Sequence, residues 1–379
     1  MRSDFKKKII IIQRRLTHYR VSFFNLLKDK LNKNGIELVL LVGEGTKTEA
    51  SKGDEGFLDW SIKIPTKYFF NNKICFQFLG SFLKNASLVI VTQENKLLVN
   101  YFLIFNPRKK YQIAFWGHGA NFQSINSYGY LEKFKKWMIT KVDWWFTYSN
   151  LSSDLVAKAG MPKSKITTLN NSIDTTSFSR DIETLTNEDE VKLRDKHGIK
   201  DGTIGVFVGS LYGDKKIEFL LESSEKIKKE IYDFHLIIIG DGPLNKLVSQ
   251  WCSERSWGHY VGTKFGLEKA IYLKSALLNL NPGLVGLGIL DSFLSKTPLV
   301  TTDCNIHSPE IAYLENGANG LITPYNIEAY SKACVDLIRN SEAIEKMKDN
   351  CFFSAQKYTI NNMVENFYEG IISCLKDFE

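Results

Sequence analysis

Short apolar runs rich in β-branched residues alternate along this chain with amphipathic stretches of helical period, and the series occurs twice. In the first half the runs are Lys8–Ile12, Ile36–Val42, Ala86–Val91, Gln112–Trp116, Trp144–Tyr148 and Ile166–Leu169. Helical patterns lie between them at Val21–Asn32, Leu131–Thr140 and Ser152–Ala159. In the second half, strand-like segments at Ile204–Gly209, His235–Gly240, Tyr260–Val261, Leu277–Leu280, Leu299–Thr301 and Leu321–Ile322 are interleaved with helix-like ones. Those helices are expected at Ile217–Glu230, Leu244–Ser253 and Ile289–Ser295, and two more close the chain at Ile327–Asn340 and Asn361–Leu375. Strands that alternate with helices imply parallel sheets joined by right-handed crossovers, an α/β architecture. Between the two series, Asp174–Asp201 is polar, acidic and rich in threonine, which marks a linker.

At 379 residues the chain has room for two such domains. Charge divides it the same way. Residues 1–170 hold 27 Lys and Arg against 12 Asp and Glu, whereas the remainder holds 22 against 30. A basic first half suits an anionic surface, either nucleic acid or a phospholipid leaflet, with a simply solvated basic face as the alternative. No helix-turn-helix, zinc-finger spacing or RNP-like motif is present, so the expectation is a lipid surface and no nucleic acid. The six cysteines are scattered without a C-x-x-C pair, as for buried thiols in a reducing cytoplasm. Met1–Lys8 is basic, but Ile9–Ile12 is too short for a signal-peptide core and Asn100 interrupts the longest apolar stretch, Leu97–Phe105. The expected location is cytoplasmic, soluble or peripheral.

Glycine-bearing turns after the strands carry the chemistry. Val208-Gly-Ser-Leu-Tyr-Gly-Asp-Lys215 ends a strand with Gly209, Ser210 and, at its far edge, Lys215, a candidate charge for a diphosphate. Gly240 and Gly242 in the next βα turn permit close backbone approach, and Pro243 stands where a helix can start. A third turn, Gly283-Leu284-Val285-Gly286-Leu287, offers bare amides to an anion, with Asp291 in the following helix as a candidate for a ribose diol. Each has an ordinary alternative: a plain βα turn, a solvated lysine, a capping carboxylate. In the first half, His118 stands between two glycines at a strand's C-terminal end, where α/β sheets bind ligands; a satisfied structural histidine is the alternative. His18 and Arg20, after the first strand, are candidates for an acceptor phosphate.

In this order the motifs resemble the retaining glycosyltransferases of family 4. The resemblance rests on Tyr19-Arg20, the Gly-His-Gly turn, Asn170-Asn-Ser-Ile-Asp174, Val208-Gly-Ser-Leu…Lys215 and Gly240-Asp-Gly-Pro243. It continues through Pro282-Gly-Leu-Val-Gly286, Pro298-Leu-Val-Thr-Thr and Glu315-Asn-Gly-Ala-Asn-Gly320. It implies the GT-B fold, two Rossmann-like doubly wound domains facing a cleft, with a C-terminal helix crossing back to the first domain. The implied division is an acceptor-binding domain at 1–180, a linker at 181–200, a nucleotide-sugar-binding domain at 201–355 and the crossover helix at 356–379. Lys215 would then contact the diphosphate, Asp291 the ribose, the amides of 283–287 the donor sugar or phosphate, and His118 the anomeric region. The substrates implied are a UDP- or GDP-linked sugar and a lipid-linked or oligosaccharide acceptor in bacterial surface polysaccharide assembly (O-antigen, capsule, exopolysaccharide, lipopolysaccharide). No cofactor and no obligatory metal are implied, and the chain has no D-x-D triplet to hold one. Transfer would retain configuration, the acceptor hydroxyl attacking on the leaving-group face and a donor phosphate oxygen taking its proton.

Two departures stand out. Ser210 replaces the family's usual arginine, and Gly283, in a loop that looks shortened, replaces the first of two glutamates. They leave two other readings open: a sugar-nucleotide 2-epimerase of the same fold, or a non-catalytic partner subunit. The aromatic, lysine-rich stretches Lys67–Lys84 and Leu131–Met138 are candidates to rest on the anionic inner leaflet of the plasma membrane, with a core-facing helix bearing a solvated charged face as the alternative.

Overall fold

A computed structural model describes residues 6–50, 53–119 and 130–377. Outside it lie most of the basic N-terminus, Ala120 and Asn121 beyond the Gly-His-Gly turn, and the side chains of Leu131, Glu132 and Lys135 in the stretch considered for the membrane. Two compact units emerge, Met1–Asp174 with Ile360–Glu379, and Thr175–Thr359.

The first unit runs β1 (Lys7–Gln13), α1 (Val21–Lys33), β2 (Ile36–Val42), α2 (Lys47–Ala50), β3 (Ile62–Lys63), β4 (Thr66–Phe69) and β5 (Ile74–Gln77). It continues with β6 (Leu88–Thr92), α3 (Leu98–Ile104), β7 (Gln112–Gly117), α4 (Tyr130–Ile139), β8 (Trp144–Thr147), α5 (Asn150–Lys158) and β9 (Ile166–Thr168). Seven strands form a parallel sheet in the order β3-β2-β1-β6-β7-β8-β9. Ile9 and Ile11 pack on one face, with α1, while Ile10 and Ile12 pack on the other, with α3. Covering both faces is why the strand reads as an unbroken apolar run.

The stretch Lys67–Lys84 is not a helix. It contains the antiparallel hairpin β4–β5, whose turn is made by Phe70, Asn71 and Asn72, all with positive φ. Its alternating burial has the period of a strand, and the two asparagines tolerate the left-handed turn.

The second unit begins with α6 (Thr176–Thr184) and α7 (Asn187–Lys196). Then follow β10 (Thr203–Val208), α8 (Ile217–Glu230), β11 (Phe234–Ile239), α9 (Asn245–Ser253), β12 (Gly258–Gly262) and α10 (Gly266–Lys274). Next come β13 (Leu278–Leu280), α11 (Ile289–Leu294), β14 (Leu299–Thr302), β15 (Gly320–Thr323), α12 (Ile327–Ile338) and α13 (Ser341–Lys357). Its six strands are parallel, in the order β12-β11-β10-β13-β14-β15.

Residues 181–200 are therefore no linker. They are mostly helical and belong to the second unit, where Leu185, Leu193 and Ile199 join Phe178 in a core with β10, β11 and α10. Four apolar anchors spread over more than twenty residues leave no readable period among so many charges. A capping box fixes the start of α7, with Asp189 accepting from the Thr186 amide at 2.9 Å. The unit boundaries move accordingly, to 174/175 and 359/360.

The last helix, α14 (Ile360–Lys376), packs in the first unit. Phe367 stacks on Phe146 of β8 with centroids 4.4 Å apart, and Gly370 lies so close that a Cβ there would come within 2.6 Å of both Phe146 and Thr167.

Candidate functional site

Each sheet has a point where strand order reverses, and there the loops on either side leave in opposite directions and open a crevice. In the second unit it lies between β10 and β13. The turns after those strands hold Gly209–Lys215 and Gly283–Leu287, and the turn holding Gly240–Pro243 follows the adjacent β11.

Backbone hydrogen bonds lock these three turns together. The Leu211 amide donates to Asp241 O at 2.9 Å, and the Leu244 amide donates to Leu211 O at 3.0 Å. A Cβ on Gly240 would overlap the Gly209 carbonyl oxygen, and one on Gly283 would overlap the backbone of Lys215. Gly283 is thus required by loop packing, whatever its relation to a ligand. Ser210 and Pro243 stay exposed.

Lys215 is half-buried, and its Nζ donates to Leu284 O at 2.6 Å. That carbonyl carries no charge, so desolvation pulls the ammonium down to about 8, with Cys304 acting weakly in the other direction.

The five-residue stretch 283–287 is less open than its sequence suggests. The Leu284 amide donates to Asp214 O at 2.9 Å, and the Val285 amide donates to His307 Nδ1 at 3.1 Å. Neither is available to a donor sugar. Gly286 and Leu287, just before α11, have no such amide partner among the described residues. His307 sets this loop: its Nε2–H donates to Thr302 O at 2.6 Å, which leaves Nδ1 free to accept. Burial lowers its pKa and keeps the ring in that neutral form. The segment His307–Glu310 is conspicuous in the sequence, but nothing local to it announces a contact with Val285.

Asp291 does not stand free for a ribose. Lys269 of α10 pairs with it at 2.9 Å, and both side chains are about four-fifths buried or more. Burial raises the Asp291 pKa, opposed by Lys269. The partner lies 22 residues away on another helix, beyond any local pattern.

In the first unit the corresponding reversal lies between β1 and β6. His118 follows β7 and meets Tyr148 edge-on, centroids 4.5 Å apart. Both flanking glycines are needed, since a Cβ on Gly117 would strike Gln93 and one on Gly119 would strike Val156. The Gly119 amide donates to Gln93 Oε1 at 3.1 Å, which holds the turn. His118 keeps an exposed face, yet desolvation and then Arg20 push its pKa down to about 4, so the imidazole is neutral at physiological pH.

Arg20 is buried, not offered to a phosphate. It donates to Asn171 Oδ1 at 2.7 Å and lies 5.1 Å from the Trp116 ring centroid. His18 is exposed, with Nδ1 3.4 Å from Asp54 O. Of these two candidates for an acceptor phosphate, one is buried and the other exposed. Among the described residues no cluster of three metal-ligating side chains occurs, and no helix is long and apolar enough to cross a membrane.

Over residues 202–340, containing all three turns, the chain matches the family model described as Glycosyl transferases group 1. Across 97% of this chain and all of the other, the structure is similar to Anabaena HepE in complex with UDP, with a TM-score of 0.68 at 13% identity. The fold is GT-B. Two curated relatives of this GT-B chain are the alpha-D-kanosaminyltransferase of Streptomyces kanamyceticus and the alpha-monoglucosyldiacylglycerol synthase of Acholeplasma laidlawii. The first is 26% identical over 183 residues, 45% of each chain, and the second 24% over 180 residues, 46% of this chain and 44% of the other. The chain thus spans less than half the length of the curated relatives it matches.

Proposed function

We propose that this chain is a retaining glycosyltransferase of family 4. It moves a hexose-type sugar from a UDP- or GDP-linked donor, bound by the second unit, to a saccharide or lipid-linked acceptor bound by the first. The observation that carries the reading is Lys215, a half-buried ammonium with only a neutral carbonyl beside it, at the β10/β13 reversal and inside the region that matches the group 1 glycosyl transferases. The UDP in HepE and the transferase names of the relatives are consistent with it.

Catalysis on this reading is electrostatic. Lys215 stabilises the departing diphosphate, aided by the amides of Gly286 and Leu287, and no divalent cation is required. His118, neutral, serves as a hydrogen-bonding group near the reacting sugar and not as a charge. The acceptor hydroxyl attacks on the leaving-group face and a donor phosphate oxygen takes its proton.

The chain acts at the inner face of the plasma membrane, in surface polysaccharide assembly. Support comes from an aromatic patch with a lysine-rich rim on the first unit, where Phe102 is 66% exposed and Phe105 and Trp137 stack in the open. Lys141 Nζ lies 4.7 Å from the Trp137 ring centroid and Lys67 Nζ 5.7 Å from that of Phe78. Between residues 60 and 131 the sequence has a single acidic residue, Glu94. Aromatic bodies with lysine tips suit an anionic interface. The name of the Acholeplasma relative, a synthase of a glucosyl lipid, points the same way.

The test is incubation with a panel of UDP- and GDP-hexoses in EDTA, with and without anionic vesicles carrying lipid-linked saccharides. Release of free UDP or GDP, abolished by Lys215→Ala, is expected. Interconversion of the donor sugar would identify an epimerase instead, and failure to bind any nucleotide sugar would end the reading.

A further inference from the structure

We propose that His197, His235 and His259 form an acid-sensitive latch that holds the edge strand β12 in the second sheet. Three of the chain's six histidines meet there, brought together from the end of α7, from β11 and from β12. Strand β12 pairs with β11 alone, and that ladder is interrupted between Ile238 and Ile239. A strand bonded on one side has little else to keep it closed. His259 is the register partner of Ile237, so the strand period puts it on the same face as His235. The two rings lie nearly coplanar, 15° apart, with His235 Nδ1 3.0 Å from His259 Nε2. A Cβ on Gly202 would come within 2.9 Å of the His235 ring, so a glycine is what admits it. His197 meets the His259 ring at 5.1 Å between centroids and bonds through Nε2 to the Tyr272 hydroxyl of α10 at 3.0 Å. The cluster thus ties β12 to β11 on one side and to the α7–α10 layer on the other.

One proton lies between the two facing nitrogens, donated by one ring and accepted by the other. A second proton there removes the bond and sets two like charges against each other. The surroundings oppose even the first. All three rings are half-buried, and burial is the main force that holds each of them neutral. Cations add to it: Lys196 and Lys264 act on His197, and Lys228 and Arg194 on His235, where Asp233 pulls the other way. Glu190 and Glu268, nearby, are already paired with Arg194 at 3.0 Å and with Lys264 at 3.3 Å. His259, burial apart, faces only the other two histidines, and its pKa falls to about 4.

Each ring therefore binds fewer protons in the closed strand than in an opened one, where a histidine titrates near about 6.5. Closure is favoured fully above that pH and loses ground as pH falls from it toward 4. The effect reaches the far end of the strand. Tyr260 of β12 donates its hydroxyl hydrogen to Gly240 O at 3.1 Å, and the Gly240 amide donates to Gly262 O at 2.9 Å. When β12 lifts, the Gly240 turn at the β11 end loses both bonds.

Hydrogen–deuterium exchange of the full chain at pH 7.5 and pH 5.5, corrected at each pH for the intrinsic rate, tests the latch without any ligand. Peptides covering β12 and Gly240 are compared with peptides covering β1 of the first unit as the internal standard. Protection of β12 and Gly240 should fall by about tenfold or more relative to β1, the amount that one histidine held near 4 imposes one pH unit below 6.5. The double variant His235→Asn with His259→Gln puts amides where the bonding nitrogens stood, keeps a hydrogen bond available and does not titrate. In it the acid-induced drop should vanish. Unchanged relative protection of β12 in the wild type overturns the proposal, and so does a drop of the same size in the double variant. Should that variant not fold, NMR titration of ring-labelled histidines in the wild type decides, with single variants giving the assignments. Cluster histidines that titrate below 6.5, together with the wild-type drop, sustain the latch, and titration at or above 6.5 overturns it.

Discussion

Lys215 shows how one side chain can be tuned by what surrounds it. Desolvation takes its pKa from 10.5 to about 8. In the folded protein it therefore binds fewer protons than in the unfolded chain between about pH 8 and 10.5, so its burial penalty is felt below pH 8 and fades as pH rises through that window. A bound diphosphate reverses the preference, because its charge favours the ammonium. UDP affinity should accordingly be flat below pH 8 and fall by up to about tenfold per pH unit above it. Calorimetric titration between pH 7 and pH 9.5 measures this, and Lys215→Arg should remove most of the slope because a guanidinium does not deprotonate. The Asp291–Lys269 pair makes a second, separate prediction. Lys269→Met leaves a largely buried carboxylate alone and should cost about 2 kcal/mol, between the values for exposed and fully buried pairs. The double variant Asp291→Asn with Lys269→Met should recover part of that loss in thermal or urea unfolding.

At the scale of elements, glycines decide which pieces can touch. Gly240 has φ of +139° and no room for a Cβ beside Gly209, so Gly240→Ala should push the β10 and β11 turns apart. Backbone strain and overpacking together should cost about 3 kcal/mol, with nucleotide binding weakened even where the protein still folds. Gly370 has an ordinary helical backbone, and its constraint is purely contact. Gly370→Ala should lift α14 from β8 and β9, seen as faster proteolysis near residue 360 while the second unit keeps its stability. The helices α6 and α7 teach the same lesson from the other side. Their sequence is so polar that Phe178 and Leu193, with Leu185 and Ile199 just beyond the helix ends, reveal what they cover once tertiary contact gathers them.

On the scale of the whole molecule, the chain's last seventeen-residue helix completes the core of the unit with which the chain begins. Ile360, Met363, Val364, Phe367, Ile371, Cys374 and Leu375 all lie in the cluster that contains Ile9, Ile11 and α1. Each large side chain in such a core is worth about 1.5–3 kcal/mol, so a chain ending at residue 359 loses more than a domain's usual margin. That truncation should leave the first unit unfolded and the second still cooperative, which differential scanning calorimetry resolves as the loss of one transition.

Much of this was legible in the amino acids alone. Short apolar runs rich in β-branched residues, such as Ile9–Ile12 and Leu236–Ile239, read as strands covered on both faces, and their alternation with helices gives two parallel sheets and the glycine-bearing turns at their ends. The period of burial is written locally, so a reader of the sequence can find it. Partnership is not local. That Lys269 claims Asp291, that His307 and Asp214 occupy the amides of Val285 and Leu284, and that Arg20 is walled in by Trp116 and Asn171 depend on residues tens to hundreds of positions apart being brought into contact. A side chain's residue type states what it can bond to. Whether that capacity is still free for a ligand is settled only when the folded chain has spent or spared it.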